Sequence, residues 1–130
     1  MERKRVSSDT EWEPKVGYSR AVRAGSQIHV AGTTATDDDG EVVAPGDPYR
    51  QTKRALEIVT DALEEAGGSL EDVVRTRIFV TDIDDWEAIG RAHGEVFGEI
   101  RPAASMVEVQ RLIDPDHLVE IEAVAVVDDE

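Results

Sequence analysis

HLVEIEAVAVV, residues 117–127, carries in its parity the information that decides the fold. From Val119 onward the odd positions are small or aliphatic, while the even ones run Glu120, Glu122, Val124, Val126. A period of two marks a β-strand with one face turned to a core. The other face starts charged and ends apolar, which a face meeting only water does not need. VVRTRIFV, residues 73–80, is a second β-branched run with strand character. If Val119, Ile121, Ala123, Val74, Ile78 and Val80 point to one side, Glu120, Glu122, Arg75, Arg77 and Phe79 share the other. RPAASMVEVQRL, residues 101–112, adds a strand entered through small residues, with Val107 and Val109 on the core side and Glu108 and Gln110 on the open side.

Upstream, GYSRAVRAGSQIHVAGTTA breaks at Ala24-Gly25-Ser26 into a hairpin, with Ile28 and Val30 inward and Gln27, His29 and Ala31 outward. Asp47-Pro48 starts a helix, a capping carboxylate followed by proline at the first helical position. Leu56, Val59, Leu63 and Ala66 line one stripe of it until Gly67-Gly68. A second helix opens at Thr81-Asp82-Ile83-Asp84 and presents Trp86, Ile89, His93 and Val96/Phe97 on its inner stripe. The resulting order is β-β-α-β-α-β-β, an α+β domain with two helices on one face of a mixed sheet. The open face is expected to be an oligomer interface with paired charges. The domain spans residues 16–128, after an aperiodic, frayed extension over residues 1–15.

Composition narrows function by exclusion. The chain has 130 residues, room for one domain, and no cysteine, so a disulfide framework, a thiolate metal site and a Cys nucleophile are all excluded. No apolar stretch approaches the ~18 residues of a membrane span, which reads as a soluble, cytoplasmic protein that engages no membrane. A formal net charge of −15 repels phosphate backbones, so neither nucleic-acid binding nor RNA cleavage fits. The acidic run TDDDGEVV misses the calcium-loop spacing because Val42 stands where a loop beginning at Asp37 requires glycine; it reads as a solvated turn. His29, His93 and His117 lack metal-ligand spacing, so no metal is expected, and no serine lies in a G-x-S-x-G elbow. What remains is the pair Glu120 and Glu122, which either pairs with Arg75 and Arg77 or supplies a carboxylate that activates a water in a cleft between subunits.

GYSRAVRAGSQIHVAG, TRIFVTDIDDWEAI, RPAASMVEV and VEIEAVAV, in this order and spacing, resemble the RidA/YjgF family over Tyr18 to Val126. The resemblance implies a chorismate mutase-like fold and a homotrimer whose sheets pack into a central barrel. It also implies three inter-subunit clefts binding a small molecule, and cofactor-free hydrolysis of enamines or imines such as 2-aminoacrylate to 2-keto acids and ammonia. Position by position, it implies a cleft tyrosine at Tyr18 in the first strand, pocket-lining backbone at Ala31 and Gly32, and a water-positioning glutamate at Glu120. The family signature P-A-R-S reads Pro102-Ala103-Ala104-Ser105 here, followed by Met106 in place of the usual Cys, and the family's helix asparagine reads Gly90.

The substrate-gripping arginine is therefore Ala104, and losing one charge-assisted bidentate contact weakens carboxylate recognition by roughly ten- to a hundred-fold. Arg20, on the face of Tyr18 and able to reach a neighbouring chain's cleft, and Arg101, in the loop before Pro102, are the candidate replacements. The alternative is a non-catalytic ligand-binding or interaction protein that uses the same cleft.

Only three of the 14 cations are lysines, a balance that suits concentrated salt. Thermal stability is expected to rise as KCl goes from roughly 0.1 to 1 M, where the screening length falls from about 10 to about 3 Å. Differential scanning calorimetry across that series checks it, and a flat response removes the halophilic reading.

Overall fold

A computed structural model describes residues 2–128. The strands are β1 (Arg3–Val6), β2 (Ala21–Ala24), β3 (Gln27–Thr33), β4 (Val73–Val80), β5 (Ala103–Glu108) and β6 (Val119–Val126). The helices are α1 (Trp12–Val16), α2 (Pro48–Glu65) and α3 (Trp86–Phe97). They form one six-stranded sheet in the order β1-β2-β3-β6-β4-β5, antiparallel throughout except for the parallel β4–β5 pair. The expected β-β-α-β-α-β-β series is present from β2 onward. The terminus expected to be frayed instead supplies β1, paired with β2 from Arg3↔Ala24 to Val6↔Ala21, and the short α1.

Helix α2 starts where capping chemistry places it: Asp47 accepts a hydrogen bond from the Arg50 N–H at 3.0 Å, with Pro48 next in the chain. Leu56, Val59, Leu63 and Ala66 are all buried against the sheet, together with Ile89 and Phe97 of α3. The sheet contributes Ile28, Val30, Ile78, Val80, Val119 and Ile121 to the same core. Both long helices lie on this side, and among the described residues no helix of that length covers the opposite face.

Parity fails at two places, each for a physical reason. A bulge between Val73 and Arg75 shifts the pattern by one residue, so Val73 is buried and Val74, expected inward, is 48% exposed. On β5 the register pairs Ile78 with Met106 and Phe79 with Val107. Met106 therefore packs on the core and Val107 is 46% exposed on the open face, the reverse of expectation. Glu108 goes with the helix side, where it accepts from the Ile83 N–H at 2.9 Å; Val109 and Gln110 lie beyond the strand. Trp86 is also corrected: a 3-10 turn over Ile83–Asp85 precedes α3, and Trp86 at its first residue is 56% exposed.

The last turn of α2 contains no basic residue, and its free carbonyls are met from the sheet. Lys4 of β1 donates to the Glu65 carbonyl, and Arg23 of β2 donates to the Ala66 carbonyl at 3.1 Å. Cations at a helix C-terminus satisfy orphan carbonyls and oppose the helix dipole. Arg23→Ala is expected to lower unfolding stability by about 1–2 kcal/mol in urea titration; no change would show that water replaces the guanidinium without penalty.

Candidate functional site

The open face gathers several of the expected residues at one end, around a defect in the sheet. β3 pairs with β6 as Val30↔Ala123 and then as Thr33↔Ile121, so Ala31 and Gly32 together oppose Glu122 in a bulge. The glycine is required by packing. A Cβ on Gly32 would lie 2.8 Å from the carboxyl carbon of Glu120, so that side chain rests directly on the glycine backbone.

Arg20, just before β2, is 7% exposed, and its Nη1 donates to the Gly32 carbonyl at 3.1 Å and to Thr33 Oγ1 at 3.2 Å. It meets its own chain's bulge, the side of the cleft it was expected to enter from a neighbour. The Tyr18 ring lies 5.5 Å from the Arg20 guanidinium carbon, partly exposed. Tyr18 stands in the turn after α1, ahead of β2, rather than in the first strand; its N–H donates to the Glu13 carbonyl at 2.9 Å. Glu13 is itself buried and accepts from the Ser8 and Thr10 side chains. These bonds hold its carboxyl below its ordinary pKa although burial opposes them.

The two glutamates of β6 have different partners. Glu122 accepts from Arg77 Nε at 2.9 Å on the adjacent β4, within the same chain. Glu120 stands in register with Phe79 and forms no ion pair among the described residues. Burial, followed by repulsion from Glu122, raises its pKa above the ordinary value, and attraction from Arg20 only partly offsets this.

Ala104 and Met106 are not brought to this group. Their register partners Thr76 and Ile78 belong to the helix-covered side, whereas Ser105, opposite Arg77, faces the open side from the edge strand. Arg101 is exposed between α3 and β5, in the left-handed region at φ 57°, with its N–H on the Phe97 carbonyl. The residue missed from sequence is Thr33, fully buried, which accepts from Arg20 and donates to the Ala31 carbonyl at 2.7 Å. Its signal was the glycine before it, since glycine inside a strand marks a bulge. Among the described residues no cluster of acidic or histidine side chains could hold a metal ion, and no helix is long and apolar enough to cross a membrane.

A helix-backed mixed sheet whose bare side collects a glutamate, an arginine and a tyrosine around a bulged glycine is an α+β domain of the chorismate mutase-like fold class. The sequence profile described as Endoribonuclease L-PSP matches residues 9–127, and the chain belongs to that family, the RidA/YjgF family. A solved structure of a YjgF/YER057c/UK114-family protein from Mycobacterium tuberculosis is 52% identical, with a TM-score of 0.88, covering 97% of this chain and 100% of that one. A RutC family protein of Pyrococcus abyssi is 42% identical over 118 residues, 89% of this chain and 92% of its own length. The 3-aminoacrylate deaminase RutC of Acinetobacter baylyi is 40% identical over 112 residues, 86% of this chain and 88% of its own.

Because the folded-state pKa of Glu120 is raised, ionising it disfavours the folded state. Below the ordinary carboxylate range both states are protonated and the effect vanishes; above it the unfolded state ionises first, and the penalty persists to neutral pH. Glu120→Gln is therefore expected to raise the melting temperature at pH 7 and to leave it unchanged below about pH 4. A melting series across that range checks the sign, and destabilisation at neutral pH would contradict it.

Proposed function

We propose that this protein is a cytoplasmic, homotrimeric enamine/imine hydrolase acting on a small organic molecule in clefts between its copies. The observation that carries the proposal is Glu120: a half-buried carboxyl with a raised pKa, resting on the Gly32 backbone and free of any ion pair among the described residues. A carboxyl whose pKa is raised by burial is suited to giving as well as taking protons. The inter-subunit location is supported by the division of expected site residues between the two sides of one sheet. Tyr18, Gly32 and Glu120 lie on the open face and Ala104 on the other, so one copy alone does not bring them together.

In the proposed reaction, protonated Glu120 first gives a proton to the enamine carbon, converting C=C–N to C–C=N. The resulting carboxylate takes a proton from water as the water oxygen bonds to the C=N carbon, forming a carbinolamine. Glu120 returns that proton to nitrogen; as the C–N bond breaks, its carboxylate takes the hydroxyl proton of the carbinolamine, so ammonia leaves a carbonyl and Glu120 is again protonated. Water is consumed and no redox partner is needed. The deaminase name of the Acinetobacter relative supports this class of chemistry. Ala104 supports the second reading, a non-catalytic ligand-binding protein, because the position of the family's anchoring arginine holds a methyl group.

A coupled assay that generates 2-aminoacrylate and scores ammonia and keto-acid release separates the two. The wild type is expected to release both, and Glu120→Gln to lower kcat by about 10²–10⁴-fold, the usual range for losing a positioned acid-base group. An inert wild type with an active Ala104→Arg variant would indicate an intact cleft with a different native substrate. Inactivity of both would leave the binding-protein reading.

A further inference from the structure

We propose that Arg20 is the residue of this chain that anchors the acid group of the cleft's ligand, a role for which the position matching the family's arginine offers only Ala104. The inference rests on the reading of the cleft as a small-molecule site and names the group that reads the molecule's charge.

Buried arginines are ordinarily paired with an acid. Arg20 is more than nine-tenths buried, yet no carboxylate lies within ion-pair distance of it among the described residues. Its Nη1 is used on two neutral oxygens, and its Nε is buried with no acceptor. The bonds to Gly32 and Thr33 fix the guanidinium beside the bulge on which Glu120 rests, so a cation and a proton-transfer carboxyl flank one small region. An incoming anion would supply the missing counter-charge.

The wider face carries the same sign. Arg77 and Glu122 neutralise each other; set aside, they leave Arg3, Arg5, Arg20 and Arg75 on the open side against Glu120 among the described residues of the strands and Arg20 beside them. In a chain of net charge −15 this face concentrates positive charge, which draws anions through an otherwise repelling field. Arg20 is recessed, with the Tyr18 ring 5.5 Å from its guanidinium carbon. Ala104, across the sheet on the helix side, contributes no charge.

Calorimetric titration of the full-length protein with pyruvate and with its neutral amide, pyruvamide, tests the assignment. The wild type is expected to bind pyruvate roughly tenfold or more tightly than pyruvamide, the scale of one charge-assisted contact, and Arg20→Gln to erase that preference through loss of pyruvate alone. Should Arg20→Gln fail to fold by circular dichroism, Arg20→Lys carries the test. It keeps the charge without the planar fork, so pyruvate binding should weaken while pyruvamide binding does not.

Equal binding of the two probes by wild type, binding of neither, an Arg20→Lys variant with unchanged pyruvate affinity, or a preference removed by Arg101→Ala instead would each overturn it. Deamination retained at wild-type kcat/KM in Arg20→Gln would also overturn it while leaving the hydrolase reading intact. A preference lost in Arg20→Gln, in a protein that turns over no enamine, would support Arg20 and remove the hydrolase reading.

Discussion

Two helices can shelter one side of a six-stranded sheet and no more. That constraint governs the molecule, because every strand must serve a dry side and a bare side at once. Val30, Ile78 and Ile121 meet α2 and α3 on the dry side, while their neighbours His29, Arg77 and Glu122 are left on the bare one. The core and the candidate site are thus two readings of the same strands, offset by one residue. Any substitution that shifted register would exchange one for the other.

Glu120 and Glu122 show how this arrangement makes chemically different groups from identical residues. They sit two apart on β6 and share a face, yet Glu122 meets Arg77 across the strand pair whereas Glu120 meets Phe79. One carboxylate is compensated. The other is left against a glycine backbone, with its nearest charged influences opposed, and it becomes the group with the raised pKa. The difference arises from β4, whose alternation of arginine and phenylalanine assigns a partner to each position of β6.

Much of this was legible in the sequence because period-two alternation, the Asp47-Pro48 cap and the Gly25-Ser26 turn are local signals with local causes. Tyr18, Gly32 and Glu120 are named through the family resemblance, and the fold gathers them at one end of the open face. What could not be read depends on contacts distant in sequence. The bulge that exposes Val74 is a mismatch between β4 and β6, invisible in either strand alone. The parity of β5 follows from its parallel seating on β4, so Met106 and Val107 exchange roles although VEV alternates cleanly. Residues Arg3–Val6 carry three cations in a row and look unstructured; they become a strand because β2 has a free edge and the end of α2 needs donors. The burial of Arg20 likewise needed Gly32 and Thr33, twelve and thirteen residues away.

Gln51 has a consequence for how the molecule can vary. This fully buried amide donates to the Ala44 and Asp116 carbonyls and accepts from the Leu118 N–H at 2.8 Å, which clamps the connection between β5 and β6 onto α2. The clamp closes the base of that connection and leaves its tip untouched, with Ile113 at 85% exposure. Mutational drift at the tip is mechanically insulated from the strands on either side of it. The connection can acquire new contacts with other molecules while the carboxylate on β6, only two residues past the clamp, keeps its place.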